Sequence, residues 1–126
     1  MRYMGIDYGT KRIGIALSDE SGTLAFPEVV LLNSDDALPS ISQLVKERSV
    51  GQIVLGESLD YKNRPNALMT SIEYFKEELT KLIDIPVAYQ PEQMSSMAAE
   101  RFQGKHANSD ASAAAIILQW YLDRQK

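Results

Sequence analysis

Four acidic side chains stand where the sequence pattern ends a strand or begins a helix: Asp7, Glu57, Glu92 and Asp110. Asp7 ends the apolar run 3–7 and is followed at once by a glycine turn. A carboxylate there is costly to bury unless it is paired, hydrogen-bonded or bound to a cation. Parallel neighbouring strands would place these carboxylates near the same edge of a sheet. There they would raise one another's pKa unless a cation compensates. Oxygen-only ligation favours Mg²⁺ or Mn²⁺, and two such ions about 4 Å apart suit phosphodiester hydrolysis.

Each of these residues also has a purely structural interpretation, which the pattern leaves open. Asp7 can cap its own turn by accepting hydrogen bonds from the amides that follow it. Asp110 is a favoured type of residue for the N-cap of the last helix. Glu57 and Glu92, taken singly, suit exposed loops after the fourth and fifth strands.

The turn that follows Asp7 adds positive charge beside it. Thr10, Lys11 and Arg12 offer a hydroxyl and two cations, which can approach and neutralise a phosphate. The alternative is a solvated basic hairpin turn, which is common. Other polar groups matter only if they flank the acidic edge, namely Lys62, Arg64, Arg101, Lys105 and His106.

The periodicity of the chain predicts the order β-β-β-α-β-α-β-α-α. Strands are predicted over 3–7, 13–18, 24–32, 52–56 and 85–89, and Pro27 favours an edge position because proline lacks a ladder donor. Helices are predicted after the N-cap candidates at 34–36, after Asn66, from about 95 to 104, and from Asp110 onward. The first three strands have short links and are therefore antiparallel, and the later strand–helix alternation implies parallel strands. The alanines that follow Asp110 predict that the last helix lies close to the strand of Asp7.

Length and composition limit the class of protein. The chain has 126 residues, no cysteine, one histidine and a formal net charge of −4. This length predicts one domain over residues 1–126. Without cysteine there are no thiolate zinc sites, so any metal site is expected to be built from carboxylates. The sequence has no apolar run of membrane-spanning length and opens on a strand pattern rather than a signal peptide, so a cytoplasmic location is expected.

Two of these motifs resemble those of a known family. The segment 4–16, MGIDYGTKRIGIA, closely resembles the opening motif of the YqgF (RuvX) family, and the segment 110–119, DASAAAIILQ, resembles its C-terminal helix. Residues 53–56, IVLG, fit the family's fourth strand. The resemblance covers nearly the whole chain and implies a ribonuclease H-like fold: a mixed five-stranded sheet with helices on both faces.

The resemblance also implies a function. The family takes its name from proposed Holliday-junction resolvases and is associated with maturation of the 5′ end of pre-16S rRNA. Its acidic metal ligands correspond to Asp7, Glu92 and Asp110, which implies bound Mg²⁺ or Mn²⁺. Glu57 could add a carboxylate, as related resolvases use one from their fourth strand, or be a local variation. Around Glu92, this chain has Pro91 and Gln93 where the family usually has Asp and Arg.

We therefore expect a metal-dependent nuclease that acts on precursor rRNA and is associated with ribosomal particles, with Thr10, Lys11 and Arg12 contacting the nucleic acid. The alternatives are a resolvase of branched DNA, which would require a homodimer rather than a monomer, and a nucleic-acid-binding module that has lost catalysis. The turn at residues 7–10 also resembles the phosphate-binding turn of actin-like and sugar kinases. Those proteins need two lobes, and a chain of 126 residues supplies at most one.

Overall fold

The computed structural model describes residues 1–59, 66–93 and 110–125. These residues form five strands and three helices. The elements are β1 Arg2–Tyr8, β2 Arg12–Ser18, β3 Ala25–Leu32, α1 Ala37–Glu47, β4 Val50–Leu59, α2 Ala67–Thr80, β5 Val87–Gln93 and α3 Asp110–Arg124. The helix predicted from about 95 to 104 lies outside the described residues.

The strands form one mixed sheet in the order β3-β2-β1-β4-β5. The pairs β1–β2 and β2–β3 are antiparallel, whereas β1–β4 and β4–β5 are parallel. This confirms the predicted sheet of three antiparallel strands followed by two parallel ones. Pro27 does lie on an edge strand, and the register of β2 and β3 shifts between Ile15 and Ala16, next to the proline.

The fourth and fifth strands differ from their predicted bounds, and the difference moves two of the candidate residues. β4 continues to Leu59 and β5 to Gln93, and the two strands stay paired to their ends. Glu57 and Glu92 therefore lie inside strands and not in the loops after them. Pro91 is tolerated within β5 because this strand is at the edge of the sheet.

Helices pack on both faces of the sheet, as predicted. The first core lies between the sheet and α1 and α2, and the second lies between the sheet and α3. Residues of β2 alternate between them: Ile13, Ile15 and Leu17 enter the first core, and Ala16 enters the second. Asn66 caps α2, as predicted, by accepting a hydrogen bond from the amide of Leu68 at 3.1 Å.

Asp36 occupies the N-cap of α1, but its side chain makes no capping hydrogen bond. Among the residues that the structure describes, no helix combines the length and apolar character needed to cross a bilayer.

Candidate active site

Asp7 lies near the end of β1, in register with Gly14 of β2. Because side chains alternate along a strand, Asp7 points to the same face as Gly5, which is the face covered by α3. Its neighbours Ile6 and Tyr8 belong to or pack on the core of the opposite face. The strand thus places one half-buried carboxylate under the beginning of α3.

Glycines of the sheet allow α3 to approach this closely. A side-chain carbon on Gly14 would collide with the carbonyl oxygen of Asp110, and one on Gly5 would lie 2.8 Å from the carbonyl oxygen of Ala114. As a result, α3 packs closely on the sheet and buries Ala111 and Ala114. This confirms the prediction that the alanines after Asp110 let the last helix lie close to the strand of Asp7. The first turn of α3 therefore lies directly over β1 and β2, with Asp110 at its start.

Glu92 reaches Asp7 across β4, above a third glycine. A side-chain carbon on Gly56 would lie 3.1 Å from Oε2 of Glu92, so the space that a larger residue would fill is left for the carboxylate. The side chains of Asp7 and Glu92 interact through a hydrogen bond. Burial, followed by the negative charges of Glu92 and Asp110, raises the pKa of Asp7 to about 8. Burial also raises the pKa of Glu92, although the hydrogen bond with Asp7 partly opposes this rise, so the two carboxyl groups titrate as an interacting pair.

Asp110 has a different partner from the other two carboxylates. Nε of Arg12 donates to Oδ2 of Asp110 at 3.0 Å, and both side chains are partly exposed. The charge of Asp110 nevertheless reaches Asp7 and contributes to its raised pKa. The structure thus brings Asp7, Glu92 and Asp110 together at one end of the sheet.

Glu57 does not join this group. Glu57 follows Gly56 directly on β4 and lies in register with Pro91 of β5. Because side chains alternate along a strand, Glu57 points to the face opposite that of Gly56, which is the α2 face of the sheet. On that face lies Tyr89, whose pKa is raised by burial and then by the charges of Glu73 and Glu57. Its ring packs on the first core and lies under Nζ of Lys76 at 4.7 Å. Glu57 and Glu92 are separated by the sheet itself.

The basic turn lies beside the carboxylates, between β1 and β2. Thr10, Lys11 and Arg12 are exposed there. The side chain and the backbone amide of Asn33 donate hydrogen bonds to this turn. This role was not predicted, because an asparagine after a strand is an ordinary turn residue. Lys62, Arg64, Arg101, Lys105 and His106 lie outside the described residues.

The chemistry of the three converging side chains suits a hard cation. All their donors are carboxylate oxygens, the ligands that Mg²⁺ and Mn²⁺ prefer. The half-buried pair of Asp7 and Glu92 needs either a bound proton or a cation to offset its charge. In residues 1–59, 66–93 and 110–125, no three acidic or histidine side chains are already gathered as a chelating group. Asp110, which is bound to Arg12, would have to turn toward the pair to complete a three-carboxylate site.

Comparisons with known proteins agree on the type of domain. A family model described as "RuvX: Holliday junction resolvase" matches residues 1–124. Two relatives named "Putative pre-16S rRNA nuclease" align over nearly full length. The one from Roseiflexus sp. is 35% identical over 99% of this chain and 96% of its own. The one from Streptococcus gordonii is 33% identical over 98% of this chain and 99% of its own.

Solved structures resemble the fold at lower sequence identity. The RuvC structure of Thermus thermophilus superposes with a TM-score of 0.64 at 16% identity, covering 99% of this chain and 96% of its own. The fowlpox virus Holliday junction resolvase gives a TM-score of 0.56 at 13% identity, covering 98% and 99%. The sheet order and these neighbours establish the predicted ribonuclease H-like fold.

Proposed function

This chain belongs to the RuvX family, and on that premise we propose that it is a divalent-metal-dependent nuclease that hydrolyses phosphodiester bonds. Its proposed substrate is pre-16S rRNA, in maturation of the 5′ end, since the full-length relatives are named for a nuclease of that RNA. The proposed site lies where β1, β5 and the start of α3 meet.

The convergence of Asp7, Glu92 and Asp110 supports this proposal most directly. A half-buried pair of carboxyl groups with a third charge nearby destabilises the fold at neutral pH, which a purely structural role would not require. These three residues would hold Mg²⁺ or Mn²⁺. When bound, such ions supply activation of water and stabilisation of the leaving oxygen. Glu57 is left out of the proposed ligand set because of the face on which it lies.

The exposed turn supplies the contact with the substrate in this proposal. Thr10, Lys11 and Arg12 present a hydroxyl and two cations beside the carboxylates, and such groups bind phosphate oxygens of nucleic acids without reading sequence. The net charge of −4 does not oppose this arrangement, because bound divalent ions would offset the acidic charge locally.

A resolvase acting on branched DNA is the second candidate. The description of the matching family model and the likeness of the fold to RuvC favour it. A resolvase needs two active sites that face opposite strands, and hence a homodimer. A monomer in solution that leaves four-way junctions intact would exclude this alternative.

The test is cleavage of an RNA that carries the 5′ extension of 16S rRNA, with Mg²⁺ or Mn²⁺, alongside a four-way DNA junction. Wild-type protein should cleave the RNA, and Asp7→Asn should reduce the rate at least about 100-fold. Loss of a proposed metal ligand should reduce activity at least as much as loss of a residue that only orients such a ligand.

Glu57→Gln is the matched control, because it removes a carboxylate from the same end of the sheet but from the opposite face, and it should retain activity. Full activity in Asp7→Asn would refute the assignment of the site. Binding without cleavage under either metal would identify a module that has lost catalysis, and cleavage of the junction alone would favour the DNA alternative.

A further inference from the structure

We propose that Asn33 is a positioning residue, which holds the turn of residues 9–11 in the conformation that meets the phosphate backbone of the nucleic acid. This inference rests on the proposed nuclease function and deepens it. Asn33 is not acidic or basic and does not lie in either family motif. Its place in the fold, directly after β3, brings it to the turn between β1 and β2.

Two hydrogen bonds from this one residue fix the turn. Nδ2 of Asn33 donates to the carbonyl oxygen of Gly9 at 2.8 Å. The backbone amide of Asn33 donates to the carbonyl oxygen of Lys11 at 2.9 Å. The carbonyl groups on both sides of Thr10 are therefore bound to the end of β3. Asn33 itself is half-buried, which limits the competition of water for these bonds.

The turn depends on such an anchor because its own side chains contribute little packing. Thr10, Lys11 and Arg12 are all exposed. Gly9 allows the backbone to close tightly, since a side-chain carbon there would lie 2.5 Å from the carbonyl oxygen of Arg12. Glycine makes the conformation possible but does not favour it over others, because it also widens the set of conformations of the free chain. The bonds from Asn33 select one conformation.

A turn that is already ordered binds a phosphate more tightly than one that must be ordered on binding. The anchor comes from the end of β3, whereas the carboxylates lie on β1, on β5 and at the start of α3. Loss of the Asn33 side chain should therefore weaken the contact with the nucleic acid and leave the binding of metal ions unchanged. This separation makes the role of Asn33 measurable.

The experiment compares Asn33→Ala and Asn33→Asp with Gln119→Ala. The aspartate variant keeps the shape of asparagine but, when ionised, cannot donate to the Gly9 carbonyl. Gln119 is the matched control: its side-chain amide clamps the turn at the other end of the sheet, accepting from the Ala25 amide at 2.9 Å and donating to the Thr23 carbonyl at 3.0 Å. All three proteins are assayed for RNA cleavage, for RNA binding at several salt concentrations, and for Mn²⁺ binding by calorimetry.

Both Asn33 variants should raise KM for the precursor RNA about fivefold, the equilibrium equivalent of one hydrogen bond. The value of kcat and the Mn²⁺ affinity should stay within about twofold of wild type. The magnitude of the slope of log affinity against log salt should decrease by about 0.7–0.9, which corresponds to the loss of one phosphate contact by Lys11. Gln119→Ala should lower the melting temperature without changing KM.

The inference is overturned if the Asn33 variants keep the wild-type KM, or if Asn33→Asp behaves like wild type, because shape alone would then suffice. It is also overturned if Gln119→Ala raises KM equally, which would indicate general destabilisation. These results are separable from failure of the proposed function: in that case the wild-type protein itself neither binds nor cleaves the RNA, and both proposals fall.

Discussion

The two faces of the sheet are built from the same strands but from opposite kinds of side chain. On the α1 and α2 face, the strands present large apolar residues that interlock with the helices. On the α3 face, β1, β2 and β4 present glycine at three positions where the helix or a carboxylate comes close. The buried residues of the first face include Met4, Ile6, Ile13, Ile15, Ile53, Leu55, Ile72 and Leu79; those of the second include Ala16, Val54, Ala114, Ala115 and Leu118.

This difference separates stability from function within a small protein. Large side chains bury the most apolar area and provide most of the hydrophobic stabilisation. Small residues bury less, but they let the backbone of α3 approach the sheet and leave room for Glu92 beside Gly56. The destabilising pair of Asp7 and Glu92 lies on the face with the smaller core. The opposite face must therefore stabilise the scaffold that holds them.

Gly14→Ala should have the largest effect on the site. The added carbon would collide with the carbonyl oxygen of Asp110, a backbone atom that cannot rotate away, so the start of α3 must move. We expect a loss of about 1–3 kcal/mol in the free energy of unfolding, as for other overpacked positions. Cleavage activity and Mn²⁺ affinity should both fall by at least about tenfold, because the separation of Asp110 from Asp7 would increase.

Gly51→Ala is the control for this variant. A side-chain carbon on Gly51 would meet only the exposed and flexible side chain of Met1, which can move aside. Denaturant unfolding, Mn²⁺ calorimetry and RNA cleavage are compared for both proteins. If Gly14→Ala binds Mn²⁺ and cleaves RNA as well as Gly51→Ala does, the close approach of α3 has no part in the site.

The free energy of unfolding of the metal-free protein should decrease as the pH rises. Unfolded, Asp7 ionises near 3.8; folded, its pKa is about 8. Between these values the folded protein binds a proton that the unfolded chain does not, so the free energy of unfolding decreases with rising pH through this window. Binding of Mn²⁺ must displace the proton, so the apparent affinity should rise about tenfold per pH unit below pH 8.

Thermal melts between pH 5 and 8.5 and calorimetry over the same range measure both trends. The Asp7→Asn variant has no carboxyl group at residue 7 to bind this proton, so its melting temperature should depend less on pH in this range than that of wild type. Equal pH dependence in the two proteins would mean that Asp7 is not the group that titrates.

The sequence predicted the framework well, because link length and periodicity determine it. Short links predicted that the first three strands are antiparallel, and the structure confirms this pairing. The fifth strand was predicted to end at residue 89, but β5 continues through Pro91 to Gln93 because an edge strand tolerates proline. The end of β4 was missed because Glu57 and Ser58 are polar and resemble the start of a loop, although the strand continues to Leu59.

The predicted site depended on those strand ends. Asp7 and Asp110 could be placed because each lies next to a clear element boundary. Glu57 was expected in a loop, where its direction would be free; inside β4 it must point to one face, and a shift of one residue decides which. The roles of Gly56 and Asn33 could not be predicted, because both depend on contacts between elements far apart in the sequence.

Leu79→Ala should have the smallest effect on the site, although it removes a fully buried side chain from α2. The cavity would lower the free energy of unfolding by about 2–5 kcal/mol. Because the change lies in the core of the α1 and α2 face, the folded fraction should keep the Mn²⁺ affinity and RNA cleavage of wild type. Unfolding by denaturant, with cleavage measured well below the melting temperature, tests both statements.

Leu118→Ala is the matched comparison, since Leu118 is equally buried but packs on Gly5 under α3. Truncation there should also lower the free energy of unfolding by about 2–5 kcal/mol. It should in addition lower the Mn²⁺ affinity, because α3 would pack on β1 in a different position and Asp110 would move with it. If both truncations leave the site unchanged, or if both weaken it to the same degree, stability and function are not divided between the two faces. A loss of metal affinity in Leu118→Ala alone would show that the position of α3, rather than total stability, holds the carboxylates together.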